Sequence, residues 1–116
     1  LPAARAITLR DLLTFTFGTG MVPAEPGTVP IADALELGEP PLEEWVGRLG
    51  VLPLVHQPGE RWMYETGALV TGALIARATG MSFGVALHER LFEPLVMKDT
   101  AFSVSADRLD RVATAY

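Results

Sequence analysis

From Thr66 to Thr79 the chain runs through a nearly uncharged helical pattern, and no other stretch limits the fold as tightly. Leu69, Ala73 and Ala76 fall on one stripe and Val70, Leu74 and Arg77 on the next, while Gly80 is placed to supply a left-handed cap. Its single charge, Arg77, sits in the last turn, where a cation suits the helix dipole. A helix this apolar is buried on most of its surface, so the other elements must pack around it. Gly72 inside it costs about 1 kcal/mol relative to alanine, a choice that a close approach by a neighbouring helix would explain.

The helix is entered through Pro58-Gly59-Glu60-Arg61-Trp62-Met63-Tyr64. Pro58-Gly59 is a turn dipeptide. Trp62 is expected to bury its ring while its N–H finds a partner, and Tyr64 can do the same with its O–H. A phenol fixed at a helix entrance by a rigid turn is one way to build a catalytic proton carrier. It is equally a way to build a core corner, and residue types alone favour the corner.

Shorter helices are expected around this one. Thr8, with Asp11 three positions later, forms a capping-box pattern for a helix from Leu9 to about Phe15, which breaks near Gly18-Thr19-Gly20. Residues 18–30 form a Pro/Gly-rich loop. Pro30 opens a helix to Leu37 that Gly38 ends, and Pro41 opens another from Leu42 to Leu49. Glu43 and Glu44 occupy the first turn of the latter, Leu42, Trp45 and Leu49 form its core face, and Gly50 is placed to cap it. Ser82 caps a helix with Phe83, Leu87 and Leu91 at four-residue spacing that stops before Pro94, leaving Glu89-Arg90 to solvent. Thr100 to Val104 is a short strand or an extended hook, and Ser105 caps a turn through Asp110 with Arg108 and Arg111 exposed. The pattern is mainly α, one domain over residues 1–116.

Composition narrows the functional classes. At 116 residues the chain is long enough to bury roughly two thirds of its unfolded surface. A net charge of −5, with no basic run, argues against nucleic acid as a partner. No cysteine is present and the two histidines are far apart, so no metal site is expected, and no cofactor either. No uncharged run approaches the roughly 20 residues of a membrane span. The chain also lacks a starting methionine, as expected of a piece of a longer polypeptide.

Three segments resemble one family in its own order. Ile7-Thr8-Leu9-Arg10-Asp11-Leu12-Leu13-Thr14 is similar to the "ITxRxLLTHTSG" segment of serine β-lactamase-like hydrolases, which include class C β-lactamases, D-alanyl-D-alanine carboxypeptidases and related esterases. The Pro58–Tyr64 stretch resembles their tyrosine motif, and Arg90-Leu91-Phe92-Glu93-Pro94-Leu95 with Met97 and Asp99-Thr100 is similar to "IFxPLGMxDT". The resemblance implies the helical subdomain of the β-lactamase/DD-peptidase-like fold, without its sheet-bearing α/β half. It implies a small-molecule ester, amide or β-lactam substrate.

In that family a Ser-x-x-Lys supplies the nucleophile, and a Lys-Thr-Gly or His-x-Gly supplies a further cation. Neither is here: Leu95 stands three before Lys98, the sole lysine, and Asp99-Thr100 follows it. The chain therefore reads as the region between those motifs, inactive alone. The resemblance assigns Tyr64 the catalytic relay of protons between serine and leaving group. Thr66, at the third position of the family's Tyr-x-Asn, becomes a substrate-cleft candidate that cannot offer an amide's donor–acceptor pair. Glu65 is a further departure, since a carboxylate beside a phenolate opposes its ionisation. Phe15 replaces the histidine of the first segment, where packing is its expected role. These departures leave a second reading open, a non-catalytic penicillin-recognising homologue or helical interaction module. A helical part cut from its α/β half would expose an apolar seam and self-associate.

Overall fold

The computed structural model describes residues 1–20, 41–64 and 66–114. The expected helix from Pro30 to Leu37, positions 21–30 of the loop, Glu65 and the terminal Ala115-Tyr116 lie outside the described residues. The described elements are α1 (Leu9–Leu13), α2 (Leu42–Gly50), α3 (Thr66–Thr79) and α4 (Phe83–Leu87), then a π turn (His88–Phe92) and a 3-10 turn (Ala106–Arg111). No strand occurs among the described residues. The mainly α, helical-subdomain architecture expected from the sequence is the one found.

α3 is the axle, packing against α1, α2 and α4. Its bounds are those the apolar pattern gives, and Gly80 follows it at φ +69. The burial expected over most of its surface is not found: Thr66, Gly67, Gly72 and Ala73 are buried, whereas Leu69 and Leu74 are exposed because α1, α2 and α4 cover only part of the helix. On one side Leu12, Phe17 and Leu49 form a buried cluster, flanked by Trp45, Leu52, Val55 and Val70. On the other, Ala73, Ala86 and Phe92 are buried. Arg77 pairs with Glu43 through Nε to Oε2 at 2.9 Å, joining α3 to α2. Both side chains are exposed, so this pair contributes at most about 1 kcal/mol.

Several elements depart from their expected limits for identifiable reasons. α1 has the full Thr8–Asp11 capping box but stops at Leu13, because Phe15 takes a left-handed φ of +56. α2 includes Gly50 and is capped by right-handed Val51, with Leu52 N–H donating to Leu49 O at 3.1 Å, so it needs no left-handed glycine. After α4 the chain widens: Glu93 N–H donates to His88 O at 2.9 Å, a five-residue step. The extra residue in that turn rotates the inward position from Leu91, which is exposed, to Phe92, which is buried. Ser82 caps α4 by accepting from Val85 N–H as expected, whereas Ser105 makes no side-chain cap. The 100–104 segment is a hook: Phe102 leans on Phe83 with ring centroids 5.4 Å apart. Arg108 and Arg111 are exposed, and both grip Asp99, at 2.9 and 3.1 Å.

The closest helix approach falls at Gly67 rather than Gly72. A Cβ on Gly67 would stand 2.6 Å from Leu12 O of α1, while one on Gly72 would meet Phe83 Cδ1 at an ordinary 3.4 Å. Backbone strain appears again at Val96, a β-branched residue at φ +57, where the resembled segment carries glycine. Urea melts of three variants check this account. Gly67→Ala should cost about 1–3 kcal/mol through overpacking. Gly72→Ala should be neutral or stabilise by up to about 1 kcal/mol. Val96→Gly should stabilise by about 1 kcal/mol, since the left-handed penalty of about 1–2 kcal/mol exceeds glycine's entropy cost. Equal effects at Gly67 and Gly72 would contradict the packing described.

Candidate active site

The segment that carries Tyr64 is held against the end of α1 by main-chain and charged contacts. Arg5 grips Asp11 with both arms, Nη1 to Oδ2 at 2.7 Å and Nη2 to Oδ1 at 2.8 Å, and Nη2 also donates to Pro58 O at 2.7 Å. Thr8 completes the ring, donating from N–H at 2.8 Å and from its hydroxyl at 2.7 Å to the same carboxylate. The Pro58-Gly59 turn is thereby tied to the first turn of α1. Gly59 sits at φ +92, and its N–H donates to Thr16 O at 2.7 Å. Further along, Val55 and His56 N–H both donate to Gly18 O, and Met63 N–H donates to Phe15 O at 2.8 Å. A Cβ on Gly20 would lie 2.6 Å from Met63 Cβ and from Tyr64 O, so only glycine lets these two segments run this close.

This clamp presents three rings together at the entrance of α3. Phe15 and Trp62 have centroids 6.2 Å apart, Phe15 and Tyr64 6.5 Å at 21°, and Trp62 and Tyr64 6.0 Å at 30°. These separations lie in the range where aromatic pairs attract. Tyr64 is 52 % exposed, open to whatever packs or binds on this face. Trp62 is 64 % exposed, so the sequence expectation of a buried indole anchor is not met. Its alternation with inward-leaning Met63 in an extended segment sets it on the same side as Tyr64.

Thr66, two residues on, is 0 % exposed, and its hydroxyl has no hydrogen-bond partner among the described residues. The same holds for the buried hydroxyl of Thr19. The two candidate hydroxyls, of Tyr64 and Thr66, therefore differ in kind: one is open and one is sealed. An apolar cavity of about 690 Å³ opens elsewhere, between Leu12, Phe17, Leu49, Leu54 and Val70, and neither Tyr64 nor Thr66 lines it. Among the described residues no cluster of three His, Asp or Glu is placed to hold a metal ion. No single described helix is long and apolar enough to cross a membrane.

The sequence marked Tyr64, Thr66 and the Pro58-Gly59 turn but missed Arg5 and the bridging part of Phe15. A signal for Arg5 exists: the capping box commits Asp11 to a helix start, and a buried carboxylate needs a cation within reach.

Known proteins resemble this chain over nearly its whole length. A family model described as Beta-lactamase matches residues 1–116. Protein Rv1367c of Mycobacterium tuberculosis is 40 % identical over 99 % of this chain and 29 % of its own length. Esterase EstB of Burkholderia gladioli is 36 % identical over 95 % of this chain, again 29 % of its own length. The chain thus spans less than a third of the curated relatives it matches. Among solved structures, EstCE1, a hydrolase with promiscuous acyltransferase activity, superposes with a TM-score of 0.82 at 26 % identity, covering 95 % of this chain and 30 % of that one.

The clamp makes an acid-side prediction. Hydrogen bonds from Arg5, then from Thr8, hold the Asp11 carboxyl well below the usual carboxylate range. On acidification the unfolded chain, with an aspartate pKa of about 3.9, takes up this proton first. The stability from Asp11 is therefore whole at neutral pH and is lost as pH falls below about 5, through 3.9 and down to the folded-state value. Urea midpoints of wild type and Asp11→Asn should be well separated at pH 7, begin to draw together below about pH 4 and converge only as pH approaches the folded-state value. A separation that stays constant would show that the ion pair contributes nothing.

Proposed function

The chain belongs to the beta-lactamase family, and from that premise we propose that it supplies the tyrosine-bearing helical part of a serine hydrolase working through an acyl-enzyme. The observation that carries this reading is the exposed Tyr64 ring, fixed at the mouth of α3 by the clamp on its entrance segment. A serine and a lysine from a sheet-bearing α/β half would face it. Tyr64 then receives the serine proton as Oγ attacks the carbonyl, and returns it to the departing group. An ester is the substrate placed first, because relatives of this chain are named as an esterase and a hydrolase with acyltransferase activity; amides and β-lactams follow. Thr66, fully buried and with its hydroxyl unpartnered among the described residues, enters this reading as support for Tyr64 from beneath rather than as a substrate contact.

That sealed hydroxyl also supports the second reading, a non-catalytic homologue or helical interaction module, since a threonine at full burial is a poor substitute for a substrate-facing amide. The two readings part in one assay. In the full-length protein, Tyr64→Phe keeps the ring and removes the proton carrier. Steady-state ester hydrolysis should fall by roughly 10²–10⁴-fold, while urea melts shift by about 1 kcal/mol, the worth of one hydrogen bond. Unchanged turnover would return Tyr64 to a packing role, and no turnover by the wild type would favour the binding module. Residues 1–116 alone, without a Ser-x-x-Lys to supply the nucleophile and its lysine, should hydrolyse neither nitrocefin nor p-nitrophenyl esters. They leave Leu13, Trp62, Leu69 and Leu74 exposed. A sheet-bearing half in the full-length protein would cover part of these side chains, and without it a second copy of the chain is the expected partner.

A further inference from the structure

We infer that Phe15 is a positioning residue for Tyr64, holding the phenol in its working orientation by a stacked ring and by a main-chain bond to the preceding residue. The inference rests on the catalytic reading of Tyr64 given above. Phe15 occupies a left-handed φ of +56, where glycine or asparagine would be at ease and a large aromatic is not. That conformation does two things at once. It aims Phe15 O at Met63 N–H, 2.8 Å away, while Phe15 N–H still donates to Leu12 O at 3.1 Å. The residue thus bridges the end of α1 to the segment that enters α3. It also lays the Phe15 ring beside Tyr64, at 21° and 6.5 Å, with Trp62 near both.

A half-exposed tyrosine on an open face would otherwise sample several rotamers, each moving its oxygen by ångströms. Flat neighbours at 6.0 and 6.5 Å restrict that freedom on the sides they occupy. A proton carrier must stay within hydrogen-bond reach of two oxygens in succession, so this restriction acts on the chemical step and not on substrate binding. The ring, rather than apolar bulk, is the feature required. An isosteric but non-planar side chain fills the space without guiding the phenol.

The test uses the full-length protein and p-nitrophenyl acetate, with four variants: Phe15→Leu, Phe15→Tyr, Tyr64→Phe and the double variant Phe15→Leu with Tyr64→Phe. Phe15→Leu should lower kcat by about 10- to 100-fold with KM within about twofold, and Phe15→Tyr should restore kcat. In the Tyr64→Phe background, Phe15→Leu should have no further effect, because there is no proton carrier left to orient. A purely structural part for Phe15 predicts the opposite: equal losses in both backgrounds, with falling urea midpoints. That result, a loss confined to KM, or no rescue by Phe15→Tyr would overturn the inference. Should Phe15→Leu not fold, the wild type still decides: proton NMR must show a nuclear Overhauser contact between the Phe15 and Tyr64 rings, and its absence overturns the geometry. The premise fails separately. Full activity in Tyr64→Phe removes the catalytic reading itself, whereas an impaired Tyr64→Phe beside an unimpaired Phe15→Leu removes only the positioning of Phe15.

Discussion

One carboxylate organises the entrance to this site. Asp11 receives two bonds from Arg5 and two from Thr8, and Arg5 reaches past it to Pro58 O. A single buried group therefore starts α1, is neutralised by Arg5, and through Arg5 pins a turn more than forty residues further along the chain. Desolvating a carboxylate is expensive unless its oxygens are hydrogen-bonded, and here both are, Oδ2 three times and Oδ1 once. Remove any one donor and the cost falls on a group that cannot reach water. The network is thus weak evidence for net stability and strong evidence for a unique placement of the Pro58–Tyr64 segment.

Downstream of that clamp the arrangement is set by α3. Gly67 lets α1's Leu12 carbonyl approach as closely as a backbone can, and Gly20 does the same for the segment ending at Tyr64. Two glycines where chains cross, and one carboxylate where they are tied, fix where the phenol emerges. Tyr64 and Thr66 then sit on either side of the helix start, one half open and the other fully sealed.

The sequence made much of this legible, for local reasons. α3, the Thr8–Asp11 capping box, the Ser82 cap and Gly80 all rest on periodicity and on side chains bonding their own neighbours, and each stands where expected. The same reasoning failed where distant partners decide. Trp62 looked like a core anchor because tryptophan usually is one, but burial needs a wall to bury against, and residues 1–20, 41–64 and 66–114 do not provide it. Leu91 lost its inward place to Phe92 because one five-residue step reset the phase of the helix. Arg5 and Asp11 meet through space across a bend that no periodicity encodes. Tyr64 and Thr66 were found through motif position, and the difference in their exposure was not readable from that position.

Two strained residues show how a local cost can be interpreted. Phe15 and Val96 both take a left-handed φ that an L side chain pays for in crowding against its own carbonyl. Phe15 has a return on that conformation: its carbonyl meets Met63 N–H and its ring meets both Trp62 and Tyr64. Val96 has turn bonds alone, its N–H to Glu93 O and its carbonyl from Lys98 N–H, with a side chain 67 % exposed. Glycine would make those turn bonds equally well, whereas no glycine could stack on a phenol. The same backbone outlier is thus an unrelieved cost at one position, and at the other a cost set against contacts that only an aromatic side chain can make. It is the set of contacts made by the strained residue, rather than the strain, that points to Tyr64.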